Sequence, residues 1–251
     1  MLALVTGATS GIGHAFAVEL AARGWDLLLV ARPSSRLDAL RAAFPEAVVV
    51  PADLSDPSSL ASVASLAASS PVDLLVNAAG LTLNTVFTRS PLSRELYLLS
   101  VNVTAVLALC HAVLPSMVSR GSGSIINVSS ITGFASTLPG STYPASKAWV
   151  THFSTSLALW ARPHGVSVMA LCPGYTQTAF HASAGVDVGR VSPSVWLSPA
   201  YVARVALRDL SRDAVVCVPG WRYKLAAAFM RHSPRWLLHH VSRLVQPPHG
   251  T

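Results

Sequence analysis

Residues 2–23 carry the feature that most restricts the fold. Leu2-Ala3-Leu4-Val5 is an apolar run of strand length. Thr6-Gly7-Ala8-Thr9-Ser10-Gly11-Ile12-Gly13 follows directly, and His14 to Arg23 reads as a helix with Ala15, Phe16, Val18 and Leu20 at its apolar positions. Strand, glycine-rich turn and helix in this order form the setting that a dinucleotide site requires. The helix N-terminus presents unpaired N–H groups, which suit phosphates. Gly7 permits the tight turn, Gly11 lets the backbone approach a pyrophosphate, and Gly13 allows the helix to pack closely on the strand. Thr9, Ser10 and Ile12 lie in the same turn and are expected to line the site. The spacing G-x-x-x-G-x-G differs from the commoner G-x-G-x-x-G.

The rest of the chain repeats the alternation of strand and helix. Strand-like runs occur at 2–5, 26–30, 47–50, 72–76, 123–128, 166–171 and 215–218, with helical stretches between them. Such alternation predicts an α/β fold, a parallel sheet of about seven strands with helices on both faces. Right-handed crossovers and a reversal after the first strand give the doubly wound order 3-2-1-4-5-6-7, a Rossmann-type arrangement. Ligands then bind beyond the carboxyl ends of the strands. Gly7, Asp53, Asn77, Ser130 and Pro173 all fall just after strands. The hydrophobic fraction of 51% is ample for a core, and no low-complexity linker divides the 251 residues, so residues 1–251 read as one dinucleotide-binding domain.

The chemistry is expected at Ser130 and in Tyr143-Pro144-Ala145-Ser146-Lys147. Tyr143 and Lys147, four apart, share one face of a helix. A free tyrosine titrates near pH ~10 and is a poor base at neutral pH. A nearby ammonium favours the phenolate, so Lys147 is expected to lower that value. The Ser130 hydroxyl would share the substrate oxygen with the phenol, making a proton-transfer device for an alcohol or carbonyl. Taken alone, the pair also reads as an ordinary surface Tyr and Lys. Ser129 is a rival for Ser130.

These motifs together resemble the short-chain dehydrogenase/reductase family in its ordinary single-domain, NAD(P)-dependent form. The resemblance runs from Leu2 to about Pro219. TGATSGIG is similar to the family's TGxxxGxG. Asp53, with Leu54 beside it, matches the acid that contacts adenine, and Asn77-Ala78-Ala79-Gly80 matches NNAG with Ala78 as a departure. Asn102, Ser130, Tyr143 and Lys147 match the catalytic set, with the usual thirteen-residue step from Ser130 to Tyr143. Pro173-Gly174-Tyr175-Thr176-Gln177-Thr178 matches the PG motif beside the nicotinamide. The resemblance implies that Tyr143 is the general acid or base, that Lys147 also bonds the nicotinamide ribose, and that Ser130 positions the substrate oxygen. It implies that Asn102 keeps a water near Lys147 and that Thr178 reaches the carboxamide, with Thr176 beside it. For Asn102 the alternative is a helix-interior side chain bonded to neighbouring backbone.

Cofactor choice is read after the second strand, Leu29-Val30-Ala31-Arg32. An NAD enzyme places an acid there for the ribose 2′-hydroxyl. Ala31 stands in that place and Arg32 follows, with Arg36 one turn on, so NADP(H) is expected over NAD(H), since guanidinium suits a 2′-phosphate. Both arginines also read as solvated surface residues, and Ser10 is uncharged where some NADP enzymes carry a second cation. Residues 174–198 are expected to form a substrate lid, with Gly185, Gly189 and Pro193 giving mobility. Phe134, Leu138, Tyr175, Phe180, Val191, Trp196 and Leu197 make the walls mostly apolar, which points to a small apolar carbonyl or alcohol. Arg190 is the one candidate for a substrate carboxylate, and His181 reads more readily as a packing residue.

The net charge is +7, with the excess at 221–245. That tail reads as two basic amphipathic helices, Trp221–His232 and Pro234–Val245, with Ser233 as cap of the second and Pro234 at its first position. It is expected either to pack on the lid or another subunit, or to rest on an anionic membrane surface. No nucleic-acid motif occurs. Cys110, Cys172 and Cys217 have no metal spacing and read as buried thiols in a reducing compartment. No apolar stretch reaching ~18 residues is read, so no membrane span is expected. No room for a signal peptide is read before the first strand, so a cytoplasmic location is expected. The apolar helices Leu92–Val118 and Tyr143–Arg162 are expected to pair across a two-fold axis in a homodimer or homotetramer. The rival to an active enzyme is a catalytically idle nucleotide-binding regulator or scaffold.

Overall fold

The computed structural model describes residues 1–83, 85–135, 141–178 and 192–234. Seven parallel strands form one sheet: β1 (Leu2–Thr6), β2 (Asp26–Ala31), β3 (Val48–Pro51), β4 (Val72–Asn77), β5 (Gly123–Val128), β6 (Val166–Leu171) and β7 (Val216–Cys217). Their order is β3-β2-β1-β4-β5-β6-β7, as the alternation predicts. The central strands are continuous apolar runs because helices cover both of their faces. In β1, Leu4 lies beside Leu28 and Leu75, and Val5 beside Leu29 and Val76.

Helices α1 (Gly11–Ala21), α2 (Leu37–Ala43) and α7 (Pro199–Leu210) cover one face. Phe16, Leu20, Leu40, Val202 and Ala206 are buried there. Helices α3 (Pro57–Ser69), α5 (Ala105–Arg120) and α6 (Thr142–Ala161) cover the other, burying Leu60, Val63, Leu109, Val113, Val150 and Ala158. Among the described residues the remaining α-helices are α4 (Leu92–Leu99) and α8 (Trp221–His232). Sequence fixes several helix boundaries. Asp56 caps α3 by accepting from the Ser59 N–H at 2.8 Å, and Ser198 caps α7 by accepting from Tyr201 at 3.2 Å. Each cap is followed by proline at the first helical position, where the missing N–H costs nothing. Gly121, at φ +64, closes α5.

Three elements differ from the sequence expectation. Helix α1 begins three residues earlier than His14, because the chain turns helical inside the glycine loop, directly after extended Ser10. It stops at Ala21, short of Arg23. Strand β7 is only two residues long. The third difference concerns membrane-spanning length. Leu92–Arg120 forms a 29-residue helical stretch with mean hydropathy 1.9 in its most apolar window, the one candidate among the described residues. Read along the sequence, its apolar runs are broken by Ser100, Asn102, Thr104 and Ser116. About 44% of that window is buried inside the protein. A core helix of a soluble domain passes the same test.

Candidate active site

The glycine turn is built as the spacing predicts. Gly7 sits at φ +70 and donates its N–H to Val30 O at 2.9 Å; a Cβ there would lie 3.0 Å from the Ala79 backbone. At Gly13 a Cβ would lie 2.5 Å from Gly7 O, so helix and turn are in backbone contact. Gly11, at φ +58, faces Thr178, whose Cγ2 would be 2.9 Å from an added Cβ. The glycine loop and the loop after β6 therefore face each other across the ends of the strands. One residue that the sequence reading missed completes this frame. The Thr6 hydroxyl accepts from Ala78 N and Ala79 N, each at 3.0 Å, and so ties the exit of β4 to the end of β1.

Several expected cofactor residues turn elsewhere. Asn77 directs its amide into the core, donating to Asn127 Oδ1 at 2.8 Å. The partner is the neighbouring residue in the β4–β5 register. Leu54 is buried among core residues, and Ile12 packs against the core of the opposite face. Asp53 accepts from the N–H and hydroxyl of Ser55, at 2.9 and 2.7 Å, which holds its carboxylate in a turn. The Thr176 hydroxyl donates to Gly174 O at 3.0 Å, within its own loop. Thr9, Ser10, Ala78, Ala79, Gly80 and Gly174 are partly exposed along the rim, whereas Pro173 is buried. At the far end of the crevice Ala31 is buried, and Arg32 and Arg36 are exposed.

The proposed reacting groups converge at β5, α6 and the junction of α4 with α5. Ser129 and Ser130 follow β5 and face different ways. The Ser129 hydroxyl donates to Lys147 O at 2.7 Å and contacts the Thr151 hydroxyl at 2.7 Å, so it is spent on the backbone of α6. The Ser130 Oγ accepts from the N–H and hydroxyl of Thr132, at 3.2 and 3.0 Å, and makes no bond to α6 backbone among the described contacts. The short 3-10 turn Ile131–Phe134 lies against α6 so closely that a Cβ on Gly133 would sit 2.8 Å from Lys147 O. Gly133 is a second residue missed in the sequence, where no spacing marks it. At the start of α6, Thr142 donates to the buried Glu95 carboxylate at 2.5 Å. The Ser141 hydroxyl accepts from Tyr143 N at 3.3 Å as helix cap. Tyr143 and Lys147 come next on the inner face.

Asn102 lies in a π-turn, Ser100–Thr104, that joins α4 to α5. Such wide turns interrupt the regular ladder and often mark functional positions. Its side chain bonds to backbone, as the alternative above has it, but to the loop after β4 and not to its own helix. It accepts from Leu81 N at 2.9 Å, and donates to Leu81 O at 2.9 Å and to Ser146 at 3.1 Å. The loop after β4 is thereby fastened to α6. A Cβ on Gly80 would lie 3.3 Å from Asn102 Oδ1 and 3.4 Å from Lys147 Nζ. Asn102, Lys147 and Gly80 thus meet at one point.

The electrostatics correct one expectation. Burial pushes the Tyr143 phenol up to about 12, while its hydrogen bond with Ser130 pulls the other way. Lys147 is pulled down to about 8, again by burial. Lys147 was expected to depress the tyrosine. Its ammonium instead donates to Val128 O at 2.9 Å and stands 5.8 Å from the Tyr143 ring centre, and desolvation of both groups outweighs their attraction.

Helix α8 closes one side of this region. Its inner face packs Ala226, Ala227 and Met230 onto Ile131, Cys172 and Val218. The Tyr223 ring lies where a side chain on Gly174 would be, 1.9 Å from an added Cβ. The Tyr223 hydroxyl accepts from Tyr175 N at 3.0 Å and donates to Val195 O at 2.7 Å. Arg222 donates to Ser194 O at 2.8 Å, and Arg231 covers the Phe134 ring at 4.4 Å. The expected wall residues Leu138, Phe180, His181, Gly185, Gly189, Arg190 and Val191 lie outside the described residues. So does the second tail helix beyond Pro234.

The family profile of the short chain dehydrogenases matches residues 1–188. The chain belongs to that family. As a member it is an NAD(P)-dependent dehydrogenase/reductase, and the glycine turn fits a dinucleotide, since side chains on Gly7, Gly11 or Gly13 would collide with the cradle. An uncharacterized oxidoreductase of Staphylococcus saprophyticus is 34% identical over 224 residues, which cover 86% of this chain and 94% of that one. The short-chain dehydrogenase of Sphingobium yanoikuyae in complex with NADPH is similar over the whole chain and 98% of its own, at TM-score 0.82 and 32% identity. The bulky-bulky ketone specific alcohol dehydrogenase of Comamonas testosteroni aligns with 100% of this chain and 96% of its own, at TM-score 0.77 and 29% identity.

Proposed function

We propose that this short-chain dehydrogenase is an NADP-dependent oxidoreductase that interconverts an apolar carbonyl compound and its secondary alcohol. The observation that carries the reading is the convergence of Ser130, Tyr143, Lys147 and Asn102 where β5, α6 and the junction of α4 with α5 meet. An idle nucleotide-binding scaffold has no need of all four together. When bound, the nicotinamide supplies or accepts the hydride. In reduction the Tyr143 O–H gives its proton to the carbonyl oxygen while the Ser130 hydroxyl holds that oxygen in place. Burial keeps the phenol protonated at neutral pH, so Tyr143 carries the proton it would give in reduction and take back in oxidation. Lys147 faces the charge left on the phenol, and Asn102 fixes the backbone around Lys147.

NADP is favoured because Ala31 stands where an acid would bind the ribose hydroxyl, with exposed Arg32 next to it. The NADPH-bound Sphingobium relative agrees with that choice. An apolar substrate is favoured by Phe134, Tyr175 and Trp196, and by the ketone specificity of the Comamonas relative. For α8 we favour packing beside the site over contact with a lipid surface, because its inner face is already committed to Gly174, Val195 and Phe134.

Tyr143→Phe keeps the ring and removes the proton. It should abolish ketone-dependent NADPH oxidation while NADPH still binds, as read by cofactor fluorescence. Turnover of the variant at the unmodified rate would overturn the mechanism. Preference of the unmodified protein for NADH would overturn the cofactor assignment.

A further inference from the structure

Arg32 does not extend alone from the end of β2. Its Nη1 donates to the phenol oxygen of Tyr97 at 3.0 Å. The two residues are 65 apart in sequence and reach each other from separate elements, β2 and α4. Arg32 is exposed and Tyr97 is half-buried, so the contact is anchored on the helix side and open on the other. An exposed arginine normally spreads over many rotamers, and ordering it is a cost that binding must meet. A partner that already holds the guanidinium removes part of that cost. A phenol that accepts one hydrogen bond still has a proton to donate. The guanidinium keeps further N–H groups in its planar fork. One anion placed at this end of the crevice can therefore take hydrogen bonds from both side chains.

We propose that Tyr97 is a specificity-determining residue for the cofactor: it orients Arg32 and donates its own O–H, so that the two form a two-sided clamp for the 2′-phosphate of NADP(H). This rests on the reading of NADP as the preferred cofactor and adds to it a residue on a different element. Arg36, exposed just before α2, is held by no such partner among the described contacts and serves as the comparison. Because the contact starts from a phenol and not from a carboxylate, it steers the guanidinium without neutralising it. A carboxylate at position 97 would orient Arg32 equally well and would repel the phosphate.

The test uses the full chain and four probes: 2′,5′-ADP, 5′-AMP, NADPH and NADH, each titrated by calorimetry. In Tyr97→Phe the affinity for 2′,5′-ADP and NADPH should fall roughly ten-fold, the size expected for one charge-assisted hydrogen bond. Affinity for 5′-AMP and NADH should stay as in the unmodified protein, which also shows that the fold is intact. In an Arg32→Ala background the same substitution should have much less effect, because the two act together. Tyr97→Glu should lose the 2′-phosphate preference altogether. An equal fall for all four probes, or unchanged 2′,5′-ADP affinity in Tyr97→Phe, overturns the clamp while leaving NADP preference standing. An unmodified protein that binds 5′-AMP as tightly as 2′,5′-ADP overturns the cofactor reading and the clamp with it.

Discussion

At the scale of single residues, the buried lysine sets a pH dependence that can be worked out in sign. Lys147 titrates at about 8 in the folded protein against 10.5 for the ordinary side chain. Below pH 8 it is protonated in both states, and folding carries the full cost of burying the charge. Between 8 and 10.5 the unfolded chain binds more protons, so this group makes the protein more stable as pH rises. The gap corresponds to an order of magnitude of about 3 kcal/mol. Lys147→Met should therefore be more stable than the unmodified protein at pH 7, and should lack its rise in stability toward pH 10. Urea unfolding at both values checks this. Tyr143 acts in the opposite sense above pH 10, where unfolding releases a proton that burial retains up to about 12. The identities of these groups were legible, because Ser130, Tyr143 and Lys147 carry their spacing with them. Their titration was not, because burial depends on the 3-10 turn and α8, which sit far off in sequence. That Ser129 spends its hydroxyl on the backbone of α6, which favours Ser130 as the candidate, was likewise not legible.

At the scale of elements, α8 shows what periodicity reveals and what it hides. Its limits, Trp221–His232, follow from the alternation of apolar and basic residues, and the structure has the same limits. Packing on the 174–198 segment was one of the expectations, but the receiving residue could not be read, because nothing in the tail names Gly174. The only sign was the glycine itself, which leaves room for the Tyr223 ring. The turned-away side chain of Asn77 was hidden for a similar reason, since its partner Asn127 arrives from the next strand. Tyr223→Phe keeps the ring and removes the hydroxyl that bridges Tyr175 N and Val195 O. Loss of one such bridge should destabilise the protein by about 1 kcal/mol. KM for a bulky ketone should rise several-fold, with NADPH affinity nearly unchanged. Steady-state kinetics and a calorimetric melt separate the two effects. Equal KM values in both proteins would show that the bridge does not position the substrate side.

At the scale of the whole molecule, Leu92, Leu96 and Leu107 are exposed on the Leu92–Arg120 stretch, and Leu159 and Trp160 on α6. Leu159, at 78% exposed, is costly to leave in water if nothing covers it. We predict that these helix faces pair about a two-fold axis, giving at least a dimer at micromolar concentration by sedimentation. Leu107→Glu with Leu159→Glu should yield monomers that retain the folded circular-dichroism spectrum. The order of the strands has a further consequence, for the timing of assembly during synthesis. Strand β1 is made first, yet it lies inside the sheet and needs β4, whose pairing begins at Val72. At roughly 5–20 residues per second, it waits seconds on the ribosome for that neighbour. Once β4 has emerged, β3-β2-β1-β4 can close with the glycine turn in place. Ser130 follows β5, and Tyr143 and Lys147 lie on α6, so the glycine turn and its strands can be in place before the residues proposed to move the proton exist.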